Sequence, residues 1–109
     1  MDLGIRNKLT LVTGASQGIG KSIAMELARE GARLILVARN KEKLTAVQNA
    51  LPGGLKSHVC LPFDLMADGA PTKCAKQILS DYGAPEIIVH NLGGSLGIRD
   101  TFALRMRLA

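Results

Sequence analysis

The feature that most constrains this chain is a short apolar run, Leu9-Thr-Leu-Val-Thr13, that breaks into the glycine-rich Gly14-Ala-Ser-Gln-Gly-Ile-Gly20 and resumes with a helical rhythm. The run suits a buried strand, and the glycines end it. From Lys21 to Glu30 the apolar positions Ile23, Ala24, Leu27 and Ala28 recur at helical spacing, and Gly31 stands where a C-terminal cap belongs. A strand feeding through a glycine loop into a helix is the opening unit of a parallel sheet, because parallel strands need a crossover of this kind.

The same alternation continues. Arg33-Leu-Ile-Leu-Val-Ala38 is nearly all apolar, as a strand covered on both faces requires. Asn40 caps a predicted helix with Leu44, Val47 and Leu51 on one side, and Pro52-Gly53-Gly54 stops it. His58-Val-Cys-Leu61 reads as a third strand, and Asp68 to Tyr82 as a helix with Pro71 near its start and Cys74, Ile78 and Leu79 inward. Glu86-Ile-Ile-Val-His90 reads as a fourth strand before the turn-rich "NLGGSLG". The pattern predicts an α/β fold: a doubly wound parallel sheet with strands in the order 3-2-1-4. Ligands in such sheets bind at the strand carboxyl ends, where the order reverses, so the loops after Val12, Val37, Leu61 and Val89 should surround one site.

A length of 109 residues supports one domain, and a hydrophobic fraction of 47% fits a folded one. No apolar stretch resembles a signal peptide or a membrane helix, which predicts a cytoplasmic protein without a membrane partner. The net charge of +5 raises the question of nucleic acid. The basic residues are dispersed, with a small cluster at Arg99, Arg105 and Arg107, and the aromatics are Phe63, Tyr82 and Phe102 alone. That is no stacking surface, so no nucleic-acid partner is expected. Cys60, Cys74, His58 and His90 lack the paired spacing of a zinc site, and buried thiols without metal are the reading retained.

The loop itself admits two phosphate-binding readings. A Walker A loop needs four residues between its glycines before Lys-Ser, yet five separate Gly14 from Gly20, and Ala15 stands where the first glycine belongs. Loop length decides which backbone N–H groups wrap a phosphate, so the P-loop hydrolase is the lesser alternative. The other reading is TGxxxGxG. Gly14 then makes the turn off the strand, Gly18 lets backbone approach a pyrophosphate, and Gly20 lets the helix pack close. Ser16 and Gln17 can donate to phosphate, and the N–H groups near Ile19 face an anion at the helix N-terminus.

With this spacing, with Asp64-Leu65 after the third strand and with His90-Asn-Leu-Gly93 after the fourth, the sequence resembles the short-chain dehydrogenase/reductase family, in the manner of its bacterial 3-oxoacyl-carrier-protein reductase-like members. The resemblance covers nearly the whole chain. It implies a Rossmann-type dinucleotide-binding domain over 1–109 that lacks the family's later strands. It also implies adenine contacts from Asp64 and Leu65, and ribose-side contacts from Asn91 and Gly93. The last tetrapeptide is a variant of the family's Asn-Asn-Ala-Gly, with His90 and Leu92 substituted.

The second strand ends in Ala38-Arg39, with no carboxylate to bond a ribose 2′-OH. A guanidinium there pairs a 2′-phosphate, so NADP(H) is expected over NAD(H). The resemblance further implies catalysis by a Ser and a Tyr-x-x-x-Lys. The one tyrosine, Tyr82, is followed four residues later by Glu86 and precedes the fourth strand, so no catalytic residue is assigned. The chain reads as a truncated or frame-altered product or a fragment, inactive alone, whose exposed sheet edge favours self-association. A non-catalytic dinucleotide-binding or regulatory module remains the other alternative.

Overall fold

The computed structural model describes residues 4–16 and 18–91. The strand β1 (Leu9–Thr13) leads through the glycine loop into α1 (Gly18–Arg29), then β2 (Arg33–Ala38), α2 (Lys41–Ala50), a single turn α3 (Gly54–Ser57), β3 (Val59–Pro62), α4 (Ala70–Asp81) and β4 (Ile87–Val89). All pairs are parallel and the order is β3-β2-β1-β4, as the sequence pattern predicts. Register runs Leu9 against Arg33 through Thr13 against Val37, with Thr10 opposite Ile87 on the other side.

The apolar runs are continuous because the sheet is covered twice. Successive side chains of a strand point to opposite faces. Leu34 and Leu36 therefore join Val12, Ala24, Ala28, Leu44 and Val47 in one core beneath α1 and α2, while Ile35 and Val37 join Leu11, Leu61, Cys74, Ala75 and Ile78 in a second beneath α4. The α2 start is as expected, with Asn40 Oδ1 accepting the Lys43 N–H at 3.0 Å.

Several details differ from the sequence reading. Helix α1 begins at Gly18, three residues before Lys21, because the last part of the glycine loop is already the first turn. Ile23 and Leu79 are only partly buried, since each lies at the margin of its helix's inward stripe. Pro52-Gly53-Gly54 ends α2, but its own turn, α3, follows at once. Pro62 closes β3 as its last residue, opposite Ala38, where the missing N–H costs the ladder nothing that matters.

His58 is the clearest correction. It precedes β3 rather than opening it, and it is buried. Its Nδ1 accepts the Leu34 N–H at 3.1 Å, one residue before the β2–β3 ladder starts at Ile35. With Nδ1 so used, the ring proton sits on Nε2 and is donated to the Pro52 carbonyl at 2.6 Å. Gln48 Nε2 donates to the His58 carbonyl at 2.6 Å. The imidazole thus finishes the sheet's hydrogen bonding where the neighbouring strand has not yet begun.

Candidate functional site

Since every strand is parallel, Thr13, Ala38, Pro62 and Val89 all end at the same edge of the sheet. The segments that leave them bound one cleft of about 570 Å³, open to solvent, over the point where β1 has β2 on one side and β4 on the other. Of the sequence-selected residues, Gly14, Ser16, Gly18, Ile19, Arg39, Asp64, Leu65 and Asn91 line it. Gln17 and Gly93 lie outside the described residues. Gly20 is brought beneath the cleft rather than into it: a Cβ there would fall on the Gly14 carbonyl, with Asn91 Nδ2 at 3.0 Å.

The glycines separate into two kinds. Gly14, at φ +63°, has no room for a side chain, because a Cβ would fall on the backbone carbonyl of Asn91 at the exit of β4. Gly14 and Gly20 together let three backbone segments meet without side chains between them. Gly18, at φ +59°, faces open space, with nothing within 4 Å of a Cβ position. Its absent side chain leaves the cleft, not the core, accessible to backbone. The loop is held in place by the Ala15 N–H, which donates to the Val37 carbonyl at 3.3 Å, and Ala15 is fully buried.

The first turn of α1 carries no acidic residue, so its outward N–H groups and dipole meet no competing carboxylate. Lys21 and Ser22, which would serve a Walker loop, are exposed and do not line the cleft. Arg39 is exposed on the β2 wall, and no carboxylate accompanies it at that strand end. On the β3 wall the Phe63 N–H donates to the Ala38 carbonyl at 3.0 Å, prolonging the ladder by one bond. Asp64 Oδ1 then accepts the Met66 N–H at 3.0 Å, which fixes the turn. Leu65 lines the cleft but is 4% exposed and belongs to the core under α4, so it offers backbone more than side chain.

At the exit of β4, the Thr13 hydroxyl accepts the Asn91 N–H at 2.8 Å and shares a hydrogen bond with His90 Nδ1 at 2.9 Å. Thr13 and Ala15 as supports, and Val37, Ala38, Phe63 and Met66 as lining, are the residues that sequence reasoning missed. Their signal was present in position alone, since all but Val37 adjoin a selected residue and Val37 lies two before Arg39. Among the described residues, no three His, Cys, Asp or Glu side chains gather as a metal site, and no helix is long and apolar enough to cross a membrane.

The short chain dehydrogenase family model matches residues 8–106. The chain belongs to that family. It is 38% identical over 86 residues to an NADPH-dependent pterin aldehyde reductase of Arabidopsis thaliana, covering 79% of this chain and 35% of that protein. Among solved structures it resembles the L-sorbose reductase of Gluconobacter frateurii complexed with NADPH and L-sorbose, with TM-score 0.81 and 26% identity over 99% of this chain and 48% of that one. It also resembles a metagenomic short-chain oxidoreductase in complex with NADP, with TM-score 0.74 and 35% identity over 82% of this chain and 40% of that one. This short-chain dehydrogenase sequence spans about a third of the length of the curated relatives it matches.

Proposed function

We propose that this chain is the NADP(H)-binding part of a short-chain reductase that interconverts carbonyl and alcohol, and that by itself it binds the dinucleotide without turnover. The observation that carries the reading is the convergence of the exits of all four strands on one cleft, with the open α1 N-terminus at its floor and Arg39 on its wall. The unfilled space at Gly18 suits a pyrophosphate approached by backbone N–H groups. Gly14, Ser16, Gln17, Gly18 and Ile19 hold the pyrophosphate in this reading, with Gly20 packed beneath them to let the loop close, and Arg39 holds the 2′-phosphate. Asp64 and Leu65 hold the adenine, and Asn91 and Gly93 the ribose side. When bound, the nicotinamide supplies the hydride; these residues orient it.

The preference for NADP(H) is supported by the lack of a carboxylate at the end of β2, and by the NADPH or NADP named for the three relatives above. Direct titration should show NADPH binding more tightly than NADH. Arg39→Ala should weaken NADPH by about tenfold or more, as expected for loss of a charge-assisted bond, and leave NADH little changed. Equal affinities in the wild-type chain would overturn the assignment. The absence of a Tyr-x-x-x-Lys predicts no NADPH oxidation by the purified 109-residue chain with carbonyl substrates. Measurable turnover would overturn that part.

A second reading is favoured by one observation: among the described residues no strand pairs the outer edge of β4. In that reading the chain is a dinucleotide-responsive module that docks on a partner through this edge. Co-purification of a partner that NADPH releases or recruits would favour it.

A further inference from the structure

The Thr13 side chain is fully buried, yet its hydroxyl is the joint between the ends of β1 and β4. Its oxygen accepts the Asn91 N–H at 2.8 Å. That leaves the hydroxyl proton to be placed, and the acceptor within reach is His90 Nδ1 at 2.9 Å. The reverse arrangement, with Nδ1–H donating, would strip the buried hydroxyl's own proton of the acceptor that Nδ1 supplies. The arrangement that uses both the proton and a lone pair of the Thr13 hydroxyl is a neutral ring protonated on Nε2, with the chain of donors running from the Asn91 N–H to Oγ1 and from Oγ1–H to Nδ1.

The direction of that chain has a geometric consequence. With its proton committed to His90, the Thr13 hydroxyl cannot rotate, and its lone pair stays aimed at the Asn91 N–H. Asn91 in turn is pressed so closely on the loop that its carbonyl occupies the place of a Gly14 side chain and its Nδ2 lies 3.0 Å from that of Gly20. Gly14 and Asn91 both line the cleft.

We propose that His90 is a positioning residue: through the Thr13 hydroxyl it locks Asn91 against the glycine loop and so sets the floor on which the dinucleotide rests. Its benefit to binding rests on the dinucleotide reading, whereas the lock itself does not. His90 stands where the family pattern has an asparagine, whose carbonyl oxygen can accept the same hydroxyl proton, so the role predicts which replacements succeed.

The test uses the full chain, labelled with ¹⁵N. Long-range ¹H–¹⁵N spectra, with His90→Asn identifying the signals, should show His90 with a bare Nδ1 and a protonated Nε2, and Thr13→Val should move it toward a tautomer average. A protonated Nδ1, or a spectrum indifferent to Thr13→Val, overturns the lock. In NADPH titrations, His90→Phe and Thr13→Val should each weaken binding by about fivefold, the value of one neutral hydrogen bond. The double variant should lose no more than either, because both remove one linked device. His90→Asn and Thr13→Ser, which restore an acceptor and a hydroxyl, should stay within about twofold of wild type. Full affinity in His90→Phe, or losses that multiply in the double variant, overturns the proposed role. If the wild-type chain binds no NADPH, the dinucleotide reading falls, and the ring spectrum alone then decides the lock.

Discussion

At the scale of single residues, the glycine loop separates positions that backbone occupies from positions left for a ligand. Gly14→Ala and Gly20→Ala each drive a Cβ into a carbonyl oxygen held by packed backbone, so both should destabilise by about 3 kcal/mol or more. Gly18→Ala meets no atom and should cost only the left-handed backbone, about 1–2 kcal/mol. Urea unfolding of the three variants checks the ranking; a Gly18 variant as unstable as the other two would contradict it. His58 offers a second residue-scale prediction. His58→Ala leaves the buried Leu34 N–H without its acceptor and should cost about 1–3 kcal/mol by the same measurement.

At the scale of elements, the double-sided burial of β2 explains both its sequence and its vulnerability, because Leu34 and Leu36 are fixed in one half of the core and Ile35 and Val37 in the other. Cys74, at the inner face of α4, is completely buried, and burial pushes its thiol up from 9.0 to about 12. Burial raises Cys60 in the same direction. A folded-state value above the unfolded one gives stability that is complete below 9.0 and lost as pH rises toward about 12. Stability against urea should therefore fall through that window, and fall less steeply in Cys74→Ala; parallel slopes would show that the thiol is not responsible. The helix patterns, the Asn40 cap and Pro71 in the first turn of α4 were legible in sequence because they depend on neighbours three or four residues away. The turn α3 and the role of His58 were not, because they depend on where β2 starts relative to β3.

At the scale of the whole molecule, the cleft exists only where strands distant in sequence end together. β1 and β4 are more than seventy residues apart along the chain, yet Thr13 and Asn91 share a hydrogen bond. Among the described residues the outer strands of the sheet are β3 and β4, and β4 presents Ile87, Ile88 and Val89, all partly exposed, without a charged residue inside the strand. An edge of that composition favours pairing. The 109-residue chain should therefore associate as its concentration rises in sedimentation velocity, and Ile88→Lys should shift it toward the monomer. A chain that remains monomeric at all concentrations would show that the edge is covered.

The sequence by itself determined the alternation of four strands with the three long helices, the parallel sheet in the order β3-β2-β1-β4 and the family, because hydrophobic period, glycine spacing and crossover length are local properties of a chain. It also named most of the residues around the cleft, since strand ends in a parallel sheet converge by necessity. What only the tertiary structure decided is why the glycines are needed and what His90 touches. Gly14 is small because Asn91 lies on it, and His90 meets Thr13 because β4 is laid beside β1. Those are contacts between segments brought together by packing, and no pattern along one segment records the partner that the fold will set against it.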